Sequence, residues 1–296
     1  MSASTTSIPP GSRVLVTGAS GFLASHICLQ FLQRGFKVRG AVRDPTQSSW
    51  LLEGPFRSYA ETGAIELVSV PPIGVDGAYD AAIKDVAAVV HTAYITNIVP
   101  DPNEVITPMV ADIRSIMHAA MVEPSVKEVV FTSSALAASP LLGGGIDNGV
   151  IGRDSWNNAV LEAAWAPPPY GATHAMSNYP ASKVAAEKEV WKFVDSNSLP
   201  FNVNVVSPAG LTGEPLSRKH IEGPANWVVH AYRGNKPVMD SMQACKNPSA
   251  PRASSTRWSN HIHNSVLRRR KRRRADPRGG RSRPRGQEHT PPILGP

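Results

Sequence analysis

Tyr179 and Lys183, four residues apart, are the pair in this sequence best suited to proton chemistry. Positions i and i+4 of a helix share a face, so the phenol and the ammonium can converge on one site. A free phenol has a pKa of about 10, too high for efficient proton donation near neutral pH, and a neighbouring ammonium lowers that value. The spacing therefore predicts a general acid for a carbonyl oxygen. The alternative is an ordinary surface helix.

The serine pair Ser133-Ser134 could contribute to the same carbonyl chemistry. It lies at the end of an apolar run that predicts a strand over Glu128 to Ser133. In open α/β sheets, ligands bind at the carboxyl ends of the strands. A hydroxyl at this edge can hydrogen-bond both a substrate oxygen and the tyrosine. The alternative is a pair of serines that satisfies backbone groups of the following loop.

The element that must face these groups is a glycine turn near the amino terminus. The apolar strand Val14 to Val16 leads to Gly18 and Gly21, and helical periodicity follows, with Ala24 at its start. In a dinucleotide-binding βαβ unit the first glycine bends the chain, the second admits a pyrophosphate, and a small residue lets the helix pack closely. The spacing G-x-x-G-x-x-A predicts such a unit; the alternative is a generic strand-to-helix turn.

Strand-like and helix-like segments alternate from the glycine turn to about residue 240, which predicts a Rossmann-type, doubly wound parallel sheet with helices on both faces. The predicted strands after the first are Lys37 to Val42, Ile65 to Val70, Val86 to Ala93, Glu128 to Ser133 and Asn202 to Val206. The predicted helices are Ala78 to Lys84, Asn103 to Met121, Asn178 to Val194 and Ala225 to Tyr232. Residues 139–172 are predicted to form a loop.

Composition favours a soluble protein of a reducing compartment. Hydrophobic residues make up 41% of the chain and charged residues 18%, and no apolar run approaches the roughly 18 residues that span a bilayer. The amino terminus has no basic start and no apolar core, so we expect no secretory signal. The two cysteines, Cys28 and Cys245, lie far apart and form no disulfide framework. We therefore expect a cytoplasmic protein with no membrane partner and no metal site.

Charge divides the chain into unlike parts. Residues 241–296 carry 14 Lys and Arg against two acidic residues, whereas residues 1–240 carry 17 against 21. The predicted organisation is a flexible segment 1–11, a single domain 12–240 and a disordered Arg/Pro/Ser-rich tail 241–296, because the tail has too few apolar residues to form a core. The seven cations Arg268 to Arg274 could instead bind nucleic acid. We favour a solvated tail and expect no nucleic-acid partner.

Taken together, the motifs resemble the extended short-chain dehydrogenase/reductases. The matching segments are T-G-A-S-G-F-L-A, V-R-G-A-V-R-D-P, V-V-H-T-A, V-V-F-T-S-S-A and Y-P-A-S-K-x-x-A-E-K, with Asp154 to Asn157 and Ser207-Pro208. They are most similar to the branch of dihydroflavonol, cinnamoyl-CoA and yeast methylglyoxal reductases, within the NAD-dependent epimerase/dehydratase superfamily. The resemblance covers residues 12 to about 235. Members continue for about another hundred residues, so we expect a truncated or out-of-frame carboxyl terminus.

The resemblance implies an NADP(H)-dependent reductase that converts an aldehyde or ketone to an alcohol. Tyr179 would be the proton donor, Lys183 would hold the nicotinamide ribose, and Ser134 would polarise the carbonyl, with Ser133 as the fallback. The implied cofactor contacts, besides Tyr179 and Lys183, are Gly18, Ser20, Gly21, Phe22, Leu23, Arg43, Thr92, Ala93, Ser207 and Pro208.

Arg43, directly after the second predicted strand, favours NADP(H) over NAD. Enzymes that use NAD place an acid here, whereas a guanidinium suits a 2′-phosphate. Arg39 is a rival for this role, and the adjacent Asp44 weakens the signal. The sequence Val70-Pro71-Pro72-Ile73 lacks the acid that the family directs toward adenine. Alternatives are an inactive relative, an NAD-dependent epimerase or dehydratase, and a hydroxysteroid dehydrogenase; the substrate and the oligomeric state are not identified.

Overall fold

A twisted sheet forms the centre of the molecule in a computed structural model. The structure describes residues 8–95, 99–139, 151–152, 154–211, 213–221, 229–230 and 232–235, and the backbone of Leu267–Lys271. The strands in these ranges are β1 (Arg13–Thr17), β2 (Lys37–Val42), β3 (Ile65–Ser69), β4 (Ala88–His91), β5 (Glu128–Thr132), β6 (Asn202–Ser207) and β7 (Leu267–Lys271). The helices are α1 (Phe22–Gln33), α2 (Arg57–Glu61), α3 (Ile106–Val122), α4 (Asn158–Ala164) and α5 (Ala172–Ser196).

The strand order is β3-β2-β1-β4-β5-β6-β7, and β1 to β6 are mutually parallel. The chain leaves β1 toward one edge through β2 and β3, then returns to the other side of β1 with β4. This reversal places a crevice at the carboxyl ends of β1 and β4, where such sheets bind ligands. The prediction of a Rossmann-type, doubly wound sheet is confirmed.

Two apolar clusters cover opposite faces of the sheet. Alternation along β1 sends Leu15 to one face and its neighbours Val14 and Val16 to the other. The Leu15 face packs against α3 and α5, and the opposite face packs against α1. Cys28 of α1 belongs to the second cluster, and burial raises the pKa of its thiol to about 12, so it serves as a packing group.

Helix α3 is apolar because it is a core helix. With the short turn before it, Pro102–Val122 is long and apolar enough, by length and composition, to cross a membrane. More than half of its most apolar window is buried, and Ile113, Ile116 and Met117 pack into the Leu15 face of the sheet. The apolar length of α3 is therefore explained by its packing against the sheet and against α5.

Several predicted bounds differ from the observed ones. Residues 78–84 form consecutive turns rather than the predicted helix. Two glycines with positive φ lie just before them, Gly74 at +90° and Gly77 at +70°. The predicted loop contains α4, and α5 begins at Ala172, six residues before the predicted start. The predicted helix over Ala225 to Tyr232 falls mostly on residues 222–228 and 231, outside the described residues.

Strand β7 lies within the segment predicted to be a disordered tail. Leu267–Lys271 runs antiparallel to β6, with Leu267 opposite Ser207 and Lys271 opposite Val203. Without it β6 would be an edge strand, whose unpaired N–H and C=O groups are a template for another strand. These five residues of the predicted tail form a strand; 241–266 and 272–296 lie outside the described residues, so the disorder predicted for 241–296 stays a prediction.

Candidate active site

The glycine turn after β1 has no room for side chains at its two glycines. Gly18 has a φ of +63°, and a Cβ there would lie 3.0 Å from the Cα of Ala93. At Gly21 a Cβ would lie 3.2 Å from the Gly18 carbonyl oxygen, which accepts the Gly21 N–H at 2.8 Å. Helix α1 begins immediately afterwards, and no side chain caps its first turn. The turn therefore presents backbone N–H groups at a helix start, which is a favourable place for phosphates.

Thr17 holds the glycine turn against the segment that follows β4. Its buried hydroxyl oxygen accepts hydrogen bonds from the N–H groups of Thr92 and Ala93, each at 3.1 Å. The Thr92 hydroxyl in turn bonds the Thr17 carbonyl. These bonds join the carboxyl ends of β1 and β4, so that Ala93 sits directly against Gly18.

A buried polar chain, missed by the sequence analysis, continues from Thr17. Both lone pairs of the Thr17 hydroxyl accept N–H bonds, so its proton points to His91 Nδ1, 3.0 Å away. His91 then carries its own proton on Nε2, which lies 3.2 Å from Asp112 Oδ2 without the alignment of a hydrogen bond. Tyr79 donates to the other Asp112 oxygen at 2.9 Å. The feature of the sequence that could have indicated these polar contacts is a single aspartate, Asp112, on the apolar face of α3.

Three charged side chains within β2 and directly after it have distinct surroundings. Arg39 is engaged, because it binds Glu66 Oε1 at 2.7 Å and donates to the Ala82 carbonyl at 3.0 Å. Asp44 accepts the Thr46 N–H at 2.8 Å and closes its own turn. Arg43 is exposed, and within the described residues its guanidinium has no ion-pair partner. Of the two arginines weighed from the sequence, Arg43 is the one available to a ligand.

The segment that follows β6 reaches back across the glycine turn. His220 Nε2 bonds the Ser20 carbonyl at 2.9 Å, and the His220 ring packs edge-on against Phe22. Lys219 donates to the Gln47 carbonyl at 3.2 Å, in the turn that follows Arg43. Ser20 and Phe22, both predicted as cofactor contacts, are therefore partly covered by this segment, which also brings the Lys219 cation to the turn that follows Arg43.

Tyr179 and Lys183 lie one turn apart on α5, facing the end of β5. Lys183 is 5% exposed and donates from Nζ to the Thr132 carbonyl at 3.1 Å. Burial lowers the pKa of Lys183 to about 8, and the carboxylate of Glu187 partly opposes this. Glu187, also missed by the sequence analysis, is fully buried and lies one further turn along the same helix.

The pKa of Tyr179 differs from the sequence expectation. The spacing predicts that Lys183 lowers it, but burial raises it, because the phenolate loses solvation. A hydrogen bond between Tyr179 and the Ser134 hydroxyl offsets part of that rise. Lys183 instead directs its ammonium to the Thr132 carbonyl and over the ring of Tyr94, 4.5 Å from the ring centroid.

The two serines after β5 have different hydrogen-bond partners. Ser134 bonds Tyr179, and its oxygen accepts the Leu136 N–H at 3.2 Å. Ser133 turns to the other side and donates to Glu187 Oε2 at 2.5 Å. The structure thus brings Ser134, and not the fallback Ser133, to the tyrosine.

The remaining predicted contacts line the same edge of the sheet. Ser207 ends β6, and the carbonyl of Pro208 accepts the Ala135 N–H at 2.9 Å, next to Ser134. Leu23 lies in the first turn of α1, and Thr92 with Ala93 follows β4. The described structure thus gathers the predicted residues of β1, β4, β5, β6 and α5 at one crevice.

Comparison with known proteins identifies relatives with related folds. Residues 14–230 match the NAD dependent epimerase/dehydratase family. The chain is 38% identical over 227 residues to an NAD-dependent epimerase/dehydratase, tndE, of Aspergillus flavipes, covering 77% of this chain and 62% of that protein. It is 33% identical over 228 residues to Aldehyde reductase 2 of Sporidiobolus salmonicolor, covering 77% and 66%.

Among solved structures, yeast methylglyoxal/isovaleraldehyde reductase Gre2 complexed with NADPH is 26% identical, with a TM-score of 0.59 over 71% of this chain and 61% of that one. The match covers less than two thirds of the length of these two curated relatives. The match over residues 14–230 and the shared fold confirm the family inferred from the motifs: the chain belongs to the NAD dependent epimerase/dehydratase family.

Proposed function

We propose that this protein reduces an aldehyde or ketone to an alcohol with NADPH. The observation that carries the proposal is the position of Tyr179 on α5, one helical turn from the buried Lys183 ammonium, which donates to the last carbonyl of β5 at the ligand edge of the sheet. The names of relatives agree with it, because they include an aldehyde reductase, a ketoreductase and an NADPH-dependent methylglyoxal reductase.

The residues around the glycine turn fit a dinucleotide. Gly18 and Gly21 leave the backbone bare, and the first turn of α1 offers N–H groups that no side chain caps. We assign the pyrophosphate to this turn, with Ser20, Phe22 and Leu23 around it. Thr92 and Ala93, after β4, lie between the turn and Ser134, and Ser207 and Pro208, at the end of β6, lie on the other side of Ser134. We assign these four residues to the nicotinamide half.

The choice of NADPH over NADH rests on Arg43. Its guanidinium is exposed at the end of β2, while Arg39 is held by Glu66 and Asp44 by its own turn. A free guanidinium there favours a 2′-phosphate through charge-assisted hydrogen bonds. Lys219, placed by its bond to the Gln47 carbonyl, adds a second positive charge to the same side.

The side chains around Tyr179 would carry out the reduction of the carbonyl group. The bound nicotinamide supplies a hydride to the carbonyl carbon. Tyr179 gives its proton to the carbonyl oxygen, and Ser134 hydrogen-bonds that oxygen and orients the phenol. Lys183 holds the ribose hydroxyls and places a positive charge beside the developing alkoxide.

The reduced thiol expected for Cys28 suits the cytoplasm, which we propose as the compartment.

Replacement of Tyr179 by Phe tests the proposal. We expect carbonyl-dependent NADPH oxidation to fall by about 100-fold or more, because general acid catalysis contributes about that much. NADPH affinity, measured by fluorescence titration, is expected to change less than about threefold. Tyr59→Phe, on the opposite side of the sheet, is the matched control and retains activity. Full activity in Tyr179→Phe would contradict the assignment.

A further inference from the structure

Tyr94, two residues beyond Thr92 at the end of β4, touches both members of the proposed catalytic pair. Its ring packs edge-on against the Tyr179 ring, with centroids 5.1 Å apart and an interplanar angle of 82°. Its face receives the Lys183 ammonium at 4.5 Å from the centroid. No sequence motif marked this residue, because a tyrosine after a strand has no distinctive spacing.

The Tyr94 hydroxyl is fixed by a hydrogen-bond chain of known direction. Ser182 lies 2.7 Å from the Tyr179 carbonyl, which can only accept, so the Ser182 proton points there. The Ser182 oxygen therefore accepts from the Tyr94 hydroxyl, 2.9 Å away. Burial raises the pKa of Tyr94, which keeps the phenol protonated and able to donate. Tyr94 is thus anchored to α5 both through its ring and through its hydroxyl.

The Lys183 ammonium needs such support because it is buried. Its neighbours are the Thr132 carbonyl at 3.1 Å, the Phe131 ring at 5.7 Å and the Tyr94 ring at 4.5 Å. The titratable groups that face it are Glu187 and Tyr179 on its own helix and Tyr94 from β4. A cation held over an aromatic face is stabilised more when it is desolvated. Of the two rings, that of Tyr94 is the nearer.

We propose that Tyr94 is a positioning residue: its ring keeps Lys183 protonated and in place, and its contact with the Tyr179 ring sets the orientation of that phenol. The part that concerns catalysis rests on the proposed function. The part that concerns the Lys183 ammonium does not, because it depends on contacts within the chain.

The pKa of Lys183 tests the ring contact without any substrate. The protein is labelled with ¹³Cε-lysine, its signals are followed by NMR against pH, and the Lys183 signal is assigned by its loss in Lys183→Arg. In Tyr94→Leu we expect this pKa to fall by roughly half a unit to one unit, since the cation–π contact is lost. In Tyr94→Phe, which keeps the ring, and in Ser182→Ala it is expected to stay within about 0.2 unit of the wild-type value. A pKa in Tyr94→Leu equal to the wild-type value, or an equal fall in Tyr94→Phe, would overturn the proposal.

Kinetics test the second part. With NADPH and a carbonyl substrate, kcat of Tyr94→Leu is expected to fall about tenfold, with the alkaline limb of its pH profile moved to lower pH, while Tyr94→Phe stays within about threefold. Tyr59→Leu controls for the loss of a half-buried tyrosine elsewhere and keeps the wild-type pH profile. A uniform loss of activity with an unmoved pH profile would reject the positioning role. A wild-type protein that reduces no carbonyl compound would instead reject the proposed function, and the NMR result would still stand.

Discussion

The two halves of the crevice are held together by different forces. The glycine turn is fixed by backbone contact and by neutral hydrogen bonds, chiefly those of the Thr17 hydroxyl to Thr92 and Ala93. The Tyr179 half is fixed by a buried cation, Lys183, among a carbonyl, two rings and the Glu187 carboxylate. The first half should therefore be sensitive to added volume, and the second to altered charge.

The largest effect is expected from added volume at the turn. A Cβ at Gly18 meets the Ala93 backbone at 3.0 Å, so Gly18→Ala must shift the backbone that follows β4 or the turn itself. We expect NADPH affinity, measured by fluorescence titration, to fall by about 100-fold or more, because several phosphate hydrogen bonds worth about 1.5–3 kcal/mol each are disturbed.

Gly63 offers a matched control for that substitution. It has a similar φ, +68° against +63°, but nothing lies within 4 Å of its added Cβ. Gly63→Ala should therefore cost only the backbone strain, about 1–2 kcal/mol in the free energy of unfolding, with NADPH affinity unchanged. Equal losses of affinity in the two variants would mean that general destabilisation, and not close approach at the turn, weakens NADPH binding.

A smaller effect is expected from altered charge in the other half. Glu187→Gln keeps the shape of a fully buried side chain but weakens its bond from Ser133 and removes the negative charge near Lys183. Urea denaturation should show a loss of about 2 kcal/mol, as for hydrogen bonds to charged groups. Glu189→Gln, on the same helix, breaks a pair with the half-exposed Arg114 and should cost less than about 1 kcal/mol. Similar losses would remove the distinction between the two sites.

Cofactor selectivity is expected to change by about tenfold. Arg43→Ala should weaken NADPH binding by roughly that factor, equivalent to about 1.4 kcal/mol, and leave NADH binding unchanged. Lys219→Met should act in the same direction by about threefold. Arg39→Met is the control, since it breaks the Glu66 pair and should lower stability without changing the NADPH-to-NADH ratio. Equal affinity of the wild-type protein for both cofactors would refute the assignment of Arg43.

The smallest effect concerns pH. The pKa of Lys183 is about 8 in the folded chain and higher in the unfolded chain, where lysine keeps its ordinary value of about 10.4. Between these values the unfolded chain binds more protons, so this group makes the free energy of unfolding rise with pH. Relative to Lys183→Met, the wild-type protein should gain on the order of 1 kcal/mol between about pH 8 and 9.5 in urea denaturation. A constant difference would show that the ammonium is solvated.

The sequence predicts the features that depend on local patterns, and not those that depend on contacts between distant residues. Periodicity and the glycine spacing were sufficient for the parallel sheet and for the turn at Gly18, because both depend on local patterns. The i, i+4 rule brought Tyr179 and Lys183 to one face of α5, and the strand end located Ser134. The rivalry between Arg39 and Arg43 could not be decided, because it depends on Glu66, which pairs with Arg39 across β2 and β3.

The missed residues act over long separations. Tyr94 meets Ser182 from 88 positions away, and Tyr79 meets Asp112 from 33 positions away. A single sequence does not indicate which buried polar groups will meet when the sheet folds. For the same reason the sign of the Tyr179 shift was wrong: spacing gave a neighbouring charge, whereas burial, a property of the packed site, sets the direction.

Transfer of hydride from cofactor to substrate is the most direct test of the account. NADPH with deuterium at both positions of nicotinamide C4 is incubated with the protein and a panel of aldehydes and ketones, and the alcohols are examined by mass spectrometry and NMR. We expect one deuterium on the carbinol carbon with the wild-type protein and at least about 100-fold less labelled alcohol with Tyr179→Phe. Absence of labelled alcohol with a wild-type protein that binds NADPH, or equal labelling by both proteins, would contradict it.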